Sequence, residues 1–139
     1  MPPQPKFVIF AHHATYDTLH QVATLGLTAA AMGKDVIVIL LFWTIKKLAE
    51  GKIDQVDFPP EYAASADEVA RLLTEKKVPK ISEMFQDAKH VGKFRLIACS
   101  AGLEYMGVDS AVVEKNVDEV MGLPAIIALT SDAETKLFI

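Results

Sequence analysis

Residues 36–43, VIVILLFW, form the longest unbroken apolar run in the chain and are the strongest indication of its fold. The run is too short to span a bilayer, which takes roughly 18 apolar residues or more. Continuous apolarity over so few residues is typical of a strand that is covered on both faces, as in a parallel sheet. We therefore predict a buried β-strand over Val36 to Phe42.

Strands of the same character are predicted elsewhere. Lys6 to Ala11 and Phe94 to Ala98 are short apolar segments with β-branched or aromatic residues, and Lys136 to Ile139 forms a final short strand. Helical patterns separate these segments along the chain. The alternation predicts an α/β fold, namely a single three-layer α/β/α domain with a mostly parallel sheet of about five strands.

The first predicted helix follows the first strand. Asp17 is a suitable N-cap, and Gly33 can take the positive φ of a helix C-terminus. Between them, small and apolar residues recur at helical spacing, which indicates a helix lying close against the sheet. These residues are Leu19, Val22, Ala23, Gly26, Ala29 and Ala30. A second, shorter helix is predicted over Trp43 to Glu50.

The segment from Gly51 to Lys93 differs in composition from the rest of the chain. It holds 15 charged residues in 43, against 17 in the remaining 96. Pro59-Pro60 interrupts any helix there, while Asp67 to Thr74 and Ile81 to Ala88 have amphipathic patterns. We interpret the segment as a charged helical insert on the outside of the core, peripheral and partly mobile, rather than as a second domain.

Composition argues against several classes of function. Only two of the 14 basic residues are arginine, the net charge is −4, and there is no basic stripe, so nucleic acid is not an expected partner. A single cysteine excludes an intrachain disulfide and fits a reducing compartment. No signal peptide or transmembrane segment is recognised, so a cytoplasmic protein is expected. Phosphate-loop, nucleophile-elbow and dithiol motifs do not occur, and no cofactor is predicted.

Cys99 follows one of the predicted strands, at the sheet edge where open α/β proteins bind ligands. The chain passes there from a strand into a helix of small residues. The sulfur is therefore expected near free backbone N–H groups, which favour the reactive thiolate. Ser100 and Gly102 leave room for an incoming sulfur atom, and Glu104 and Tyr105 lie close enough to line the same opening. A buried structural cysteine is the alternative.

His12 and His13 follow the first strand. Adjacent side chains on an extended segment point to opposite sides, so at most one of the two histidines should face a pocket. One histidine and Cys99 are too few ligands for a metal site, and none is predicted. The histidine could act as an acid or base, or simply be hydrogen-bonded. Phe42 and Trp43 could form an exposed patch, with Trp43 lining the pocket, although core packing is the commoner outcome.

Several segments together resemble a known family. Leu41-Phe42-Trp43 follows an apolar strand and an Ala-rich helix ending in Met32-Gly33, and it resembles the Phe-Phe-Thr-Phe-Trp-Gly region of DsrE-like proteins. Ile97-Ala98-Cys99-Ser100 with Met106-Gly107-Val108 resembles the family's cysteine segment, and Leu137-Phe138-Ile139 resembles its ending. The resemblance to the DsrE superfamily covers most of the chain outside the charged insert.

This resemblance to DsrE/DsrF-like sulfur-relay proteins implies a three-layer fold, homo-oligomers such as trimers or hexamers, and a cysteine that relays sulfane sulfur between protein donors and acceptors. Cys99 takes that role here, whereas Thr44 departs from the family's glycine. The leading hypothesis is thus a sulfur carrier, or sulfurtransferase, that holds sulfur as a persulfide. The apolar end, Leu137 to Ile139, independently favours a homo-oligomer because such a patch is a liability when exposed.

Two alternatives remain open. The first is a non-catalytic oligomeric binding or scaffold protein in which Cys99 is structural. The second is a small-ligand enzyme that uses His12 or His13 as an acid or base. Exposure of the Cys99 thiol separates the carrier from the scaffold protein. A deep polar pocket at His12 or His13 that excludes Cys99 would favour the enzyme.

Overall fold

A parallel β-sheet forms the centre of the molecule in a computed structural model that describes residues 2–139. The five strands lie in the order β4-β3-β2-β1-β5, and every neighbouring pair is parallel. The strands are β1 (Lys6–Ala11), β2 (Asp35–Leu40), β3 (Lys93–Cys99), β4 (Glu119–Met121) and β5 (Thr135–Phe138). The predicted single-domain α/β fold is confirmed.

Helices connect these strands. Within residues 2–139 there are seven α-helices and one 3₁₀ helix, the latter over Pro60–Ser65. The α-helices are α1 (Tyr16–Ala31), α2 (Trp43–Ala49), α3 (Ala66–Glu75), α4 (Ile81–Val91), α5 (Ser100–Tyr105), α6 (Ser110–Val113) and α7 (Leu123–Thr130).

The three central strands alternate their side chains between two apolar layers. One layer joins Ile9 and Val38 to the buried faces of α1 and α4. The other joins Val8 and Ile37 to Ile126 of α7. Each fully buried aliphatic side chain of this kind contributes about 1.5–3 kcal/mol relative to an exposed one. Burial on both faces explains why these strands have continuous apolar sequences.

Helix α1 lies close to the sheet, as its small residues predict. All six of its periodic residues are buried, and a Cβ on Gly26 would lie 2.7 Å from the Phe94 ring. The helix begins at Tyr16 with Thr15 as N-cap, so the prediction of Asp17 as N-cap is wrong. Asp57 accepts the Tyr16 backbone N–H through both its carbonyl and its carboxylate at 2.9 Å. Asp57, which is distant in the sequence, therefore satisfies this end of the helix in place of an N-cap side chain.

The charged insert is only partly peripheral. The 3₁₀ helix and α3 bury no residue completely. Helix α4, in contrast, buries Ile81, Met84, Phe85 and Ala88 and joins the core beside α1. The interpretation of the whole segment as an external insert is wrong because parallel strands need a covering crossover, and α4 supplies it between β2 and β3.

Three further details differ from the sequence predictions. Strand β2 ends at Leu40, two residues before Phe42. Strand β4 was not predicted because it has only three residues and begins with an exposed glutamate. Leu137 and Ile139 pack against the core, so exposure in the apolar ending is concentrated on Phe138, which is 75% exposed. In the part of the chain described, no helix combines the length and apolarity needed to cross a membrane.

Candidate functional site

The strand order creates a crevice above β1. From β1 the chain moves outward through β2, β3 and β4 on one side, whereas β5 returns to the other side of β1. Such a reversal opens a crevice at the carboxyl ends of the strands, where α/β proteins bind ligands. His12 and His13 lie at this point, and both backbone N–H groups donate to the Ile139 carbonyl oxygen, at 2.7 and 3.4 Å.

The two histidine side chains lie together rather than on opposite sides. Both are exposed, and their rings meet edge to face with centroids 4.7 Å apart. The prediction that at most one faces a pocket is wrong, since both line one cavity. The physical reason is that β1 ends at Ala11, so the strand's period of two no longer applies to the next residues.

An exposed aromatic row follows the strand ends, formed by Tyr105, Phe42, His12 and His13. The His12 ring lies 5.5 Å from Phe42, edge to face, and the Phe42 ring lies 6.3 Å from that of Tyr105. Phe42 is 40% exposed, and its neighbour Trp43 is 51% exposed. The expectation that both aromatic residues pack in the core is therefore wrong.

Backbone strain at Phe42 turns these aromatic side chains outward. Its φ of 44° with ψ of −105° is a conformation that non-glycine residues rarely adopt. Strain of this kind costs about 1–3 kcal/mol and occurs preferentially at functional sites. The turn is packed closely against α5, because a Cβ on Gly102 would lie 3.6 Å from the Phe42 backbone nitrogen and 2.7 Å from Ile45. Gly102 thus makes room for the turn rather than for a ligand.

A cavity of about 620 Å³ opens between the start of α1, α2 and the loop of residues 52–60. We call it the polar cleft. Its lining includes His13, Thr15, Thr18, Trp43, Lys46 and Asp57, and it excludes Cys99. Sequence reasoning missed the lysines and Asp57. A signal for α2 was nevertheless present, because Trp43, Lys46, Lys47 and Glu50 recur at the spacing of one helix face.

A nearly buried ion pair builds one wall of the polar cleft. The Lys47 ammonium donates to Asp57 Oδ1 at 2.7 Å, to the Ala14 carbonyl at 2.8 Å and to the Gln55 carbonyl at 3.3 Å. The Lys47 side chain is 8% exposed, and that of Asp57 is 39% exposed. Because Asp57 also accepts the Tyr16 N–H, the pair fastens the loop to the start of α1.

Within residues 2–139, the charges lining the polar cleft leave one cation without a carboxylate partner. Lys47 pairs with Asp57, and Lys52 lies 3.4 Å from Glu50. Lys46 has no carboxylate within 4.0 Å among residues 2–139, and its ammonium lies 6.0 Å from the centre of the Trp43 ring. Lys46 lines the cleft together with Thr15 and Thr18 at the start of α1, and its unpaired charge makes this wall attractive to an anion.

Cys99 lies at the predicted place in the chain but not in the predicted environment. It ends β3 and precedes α5, yet it is only 2% exposed. Its side chain packs in the apolar layer with Ile97 and Ile126, and it makes no hydrogen bond to the start of α5. Met121 lies opposite Cys99 in the register of β3 and β4. The expectation of a solvent-reachable thiol beside free N–H groups is therefore wrong.

The other residues predicted beside Cys99 are dispersed. Ser100 and Glu104 are exposed, and the Ser100 hydroxyl lies against Gly122, 3.7 Å from where its Cβ would be. Tyr105 is 71% exposed and belongs to the aromatic row. Among residues 2–139, no three His, Cys, Asp or Glu side chains form a group that could hold a metal ion. The structure thus brings His12, His13, Trp43 and Tyr105 to one edge and separates the thiol from them.

A second cavity, of about 670 Å³, lies beside α3 and the start of α4 and includes Tyr16 and Asp54 in its lining. Burial, and secondarily the negative charge of Asp54, raises the pKa of the Tyr16 phenol. The neutral phenol is therefore the form that the fold favours.

A comparison with solved structures agrees with the parallel α/β architecture. No protein-family model matches the chain, and no curated protein matches it in sequence. A solved structure of a conserved protein of unknown function from Bacteroides thetaiotaomicron is similar, with a TM-score of 0.60 and 19% identity. The match covers 97% of this chain and 95% of that one. At this identity it supports the fold alone.

Proposed function

We propose that the protein binds a small organic anion in the polar cleft and that His13 exchanges a proton with it. The observation that carries the proposal is the pairing of charges around the cleft, which leaves Lys46 as its free cation beside an exposed histidine. Among the alternatives that the sequence left open, this proposal corresponds to the small-ligand enzyme. Without a reaction, the same site would make the chain a small-ligand binding protein.

The chemistry of the cleft lining defines the ligand class. The Lys46 ammonium favours a carboxylate or phosphate group. The half-exposed Trp43 ring offers a flat apolar surface next to that position. His13 adds an exposed imidazole to the lining, a side chain suited to acid–base chemistry. The ligand should therefore combine an anionic group with a ring or another apolar part.

Trp43 provides the readout for a direct test because it is the chain's one tryptophan. Its fluorescence and its indole N–H resonance should respond to phenyl phosphate and benzoate more strongly than to inorganic phosphate and acetate. Lys46→Met should weaken binding of all four probes about tenfold, as expected for one charge-assisted hydrogen bond in a half-open site. Lys76→Met, at an exposed position after α3, is the matched control and should change nothing.

The role of His13 is tested by substitution. His13→Gln should weaken binding of the four probes because the ring lines the cleft, whereas His90→Gln on α4, outside the cleft, should change nothing. Absence of a Trp43 response to all four probes would refute the proposal. Equal weakening by Lys46→Met and Lys76→Met would refute it as well, because binding would then reflect net charge alone.

A sulfur carrier is the second candidate, as the resemblance to DsrE-like proteins implies. Cys99 ends β3 at the same sheet edge, and its apolar cluster is flanked by Leu41, Ala101 and Met121, which are only partly buried. The Cys99 thiolate would attack the outer sulfur of a donor persulfide. The donor's S–S bond breaks, the donor leaves as a thiolate, and Cys99 becomes the persulfide that an acceptor thiol later discharges.

Intact mass spectrometry separates the two candidates. A carrier gains the mass of one sulfur atom when native protein is incubated with a persulfide donor, loses it to a second thiol, and does neither as Cys99→Ser. We further propose, from the same resemblance, that the protein forms a homo-oligomer, either a trimer or a hexamer, and, from its single cysteine, that it is cytoplasmic. Leu123 and Ile127 on α7, 49% and 64% exposed, provide an apolar surface for that contact.

A further inference from the structure

Another, smaller cavity shares a lining residue with the polar cleft. It has a volume of about 350 Å³ and is lined by Phe10, His12, His13, Leu41, Phe138 and Ile139. We call it the apolar cleft. His13 lines both clefts, so the proton-exchanging side chain of the proposed function stands where the two meet.

The walls of the apolar cleft are hydrocarbon apart from the histidines. Phe138 on β5 stacks on Phe10 of β1 with centroids 4.8 Å apart and ring planes 6° from parallel. The two residues are neighbours in the strand register, so the sheet itself holds the pair. Phe138 nevertheless remains 75% exposed. An aromatic ring held in this way and left open to solvent beside a cavity is typical of a binding surface.

The linings of the two clefts are chemically complementary. One offers an unpaired ammonium, hydroxyl groups and an indole, and the other offers a stacked aromatic pair and Leu41. A ligand that filled only the polar cleft would leave the walls of the apolar cleft exposed to water. The shared wall at His13 is the reason to assign the smaller cleft to the apolar part of a molecule whose charged group is held by Lys46.

We propose that the ligand is an amphipathic anion, with a carboxylate or phosphate head in the polar cleft and an unbranched apolar chain that passes His13 into the apolar cleft. This inference rests on the proposed function and specifies its substrate class. The chain gains affinity by leaving water, and the head fixes its direction. His13 would then contact the ligand at the junction of head and chain, where its proton can reach the head group.

A chain-length series tests the inference. Straight-chain carboxylates from acetate to decanoate are titrated against the full chain, with the Trp43 indole resonance as readout. Affinity should rise about threefold to fourfold for each added methylene and then level off once the apolar cleft is full. The corresponding alkyl phosphates should show the same dependence and thereby establish whether the head or the chain sets the preference.

Phe138→Ser removes the exposed wall at a position that the fold does not bury. This variant should flatten the dependence on chain length while binding acetate and inorganic phosphate as the unchanged protein does. Ile127→Ser, at another exposed apolar position, 64% exposed on α7, is the matched control and should retain the full dependence. Sedimentation of each variant monitors whether the substitution also changes the assembly.

The outcomes distinguish the two proposals. If acetate and phosphate bind but affinity does not rise with chain length, the amphipathic ligand is refuted and the small-anion site stands. If none of the anions binds, both proposals fail. If Phe138→Ser lowers the sedimenting mass and leaves the dependence on chain length unchanged, a second copy of the chain covers Phe138, and the inference is overturned.

Discussion

Lys47→Met should destabilise the protein far more than a typical lysine substitution because it removes an ammonium held by three oxygens. Those acceptors are Asp57 Oδ1 at 2.7 Å and the carbonyls of Ala14 and Gln55 at 2.8 and 3.3 Å. Breaking a fully buried pair costs about 3–5 kcal/mol. The Asp57 side chain is 39% exposed, so water can replace part of the lost interaction. We expect a loss of about 2–3 kcal/mol in the free energy of unfolding.

Urea unfolding monitored by circular dichroism measures this loss through linear extrapolation. The thermal midpoint should fall by about 6–10 °C for a chain of this size. Lys52→Met is the matched control, since its pair with Glu50 at 3.4 Å is solvent-exposed. That substitution should cost less than about 0.5 kcal/mol. Salt at 1 M, which shortens the screening length to about 3 Å, should barely change the Lys47 result.

A double-mutant cycle isolates the contribution of the pair from that of the lost carbonyl contacts. Lys47→Met, Asp57→Asn and the double variant should give a coupling energy of about 1–3 kcal/mol. The same variants should weaken anion binding, because the pair holds the loop of the polar cleft against α1. A destabilisation below about 1 kcal/mol, with coupling near zero, would show that the loop is held by other contacts and refute the reasoning.

Three further predictions concern single positions. Cys99→Ser should lower the free energy of unfolding by about 1–3 kcal/mol because it buries a hydroxyl without a partner. A thiol probe should label Cys99 far more slowly in the native protein than in the urea-unfolded chain. Rapid labelling of the native protein would contradict the observed burial. Phe42→Gly should be about 1 kcal/mol more stable than Phe42→Ala, the reverse of the usual order, because glycine accepts the positive φ; urea unfolding of the two variants decides it. Tyr16 has a raised pKa through burial and then Asp54, so its contribution to stability is present below about pH 10 and is lost as pH rises through the folded-state pKa; Tyr16→Phe should flatten the fall in unfolding free energy above that pH, and an unchanged slope would refute the assignment.

The sheet could be predicted because each central strand carries its own signal. Lys6–Ala11 is the first strand in both the prediction and the structure, since burial on both faces requires a continuously apolar segment. The same argument fails for β4, whose Glu119 is exposed and whose three residues are shorter than any pattern can reveal. The amphipathic pattern of Ile81 to Ala88 predicted α4 itself, but the charged composition of residues 51–93 obscured its place in the core, because an amphipathic helix keeps its charges on the solvent side while its other face completes the core.

The candidate site was predicted only in part, because the sequence pattern does not reveal the short strand and the loop contacts that surround it. Sequence placed His12, His13 and Cys99 at strand ends, but it does not indicate which strand ends are covered. Met121 of β4, the strand that the pattern missed, lies beside Cys99 in the register and helps to bury it. The pairing of Lys47 with Asp57 joins residues ten positions apart through a loop conformation, so no periodic pattern reveals it.

The length of each connection at the sheet edge explains why one strand end is open and the other closed. Helix α5 begins at Ser100, directly after β3 ends at Cys99, so no free loop exists beside the thiol. After β1, four residues separate Ala11 from the start of α1 at Tyr16, and their side chains help to form the polar cleft. Ligand binding at His13 therefore needs no change in the fold, whereas sulfur transfer at Cys99 needs α5 or its covering residues to move. The two candidate functions thus differ in a conformational step, and this difference favours the anion site as the one that the folded chain presents to solvent.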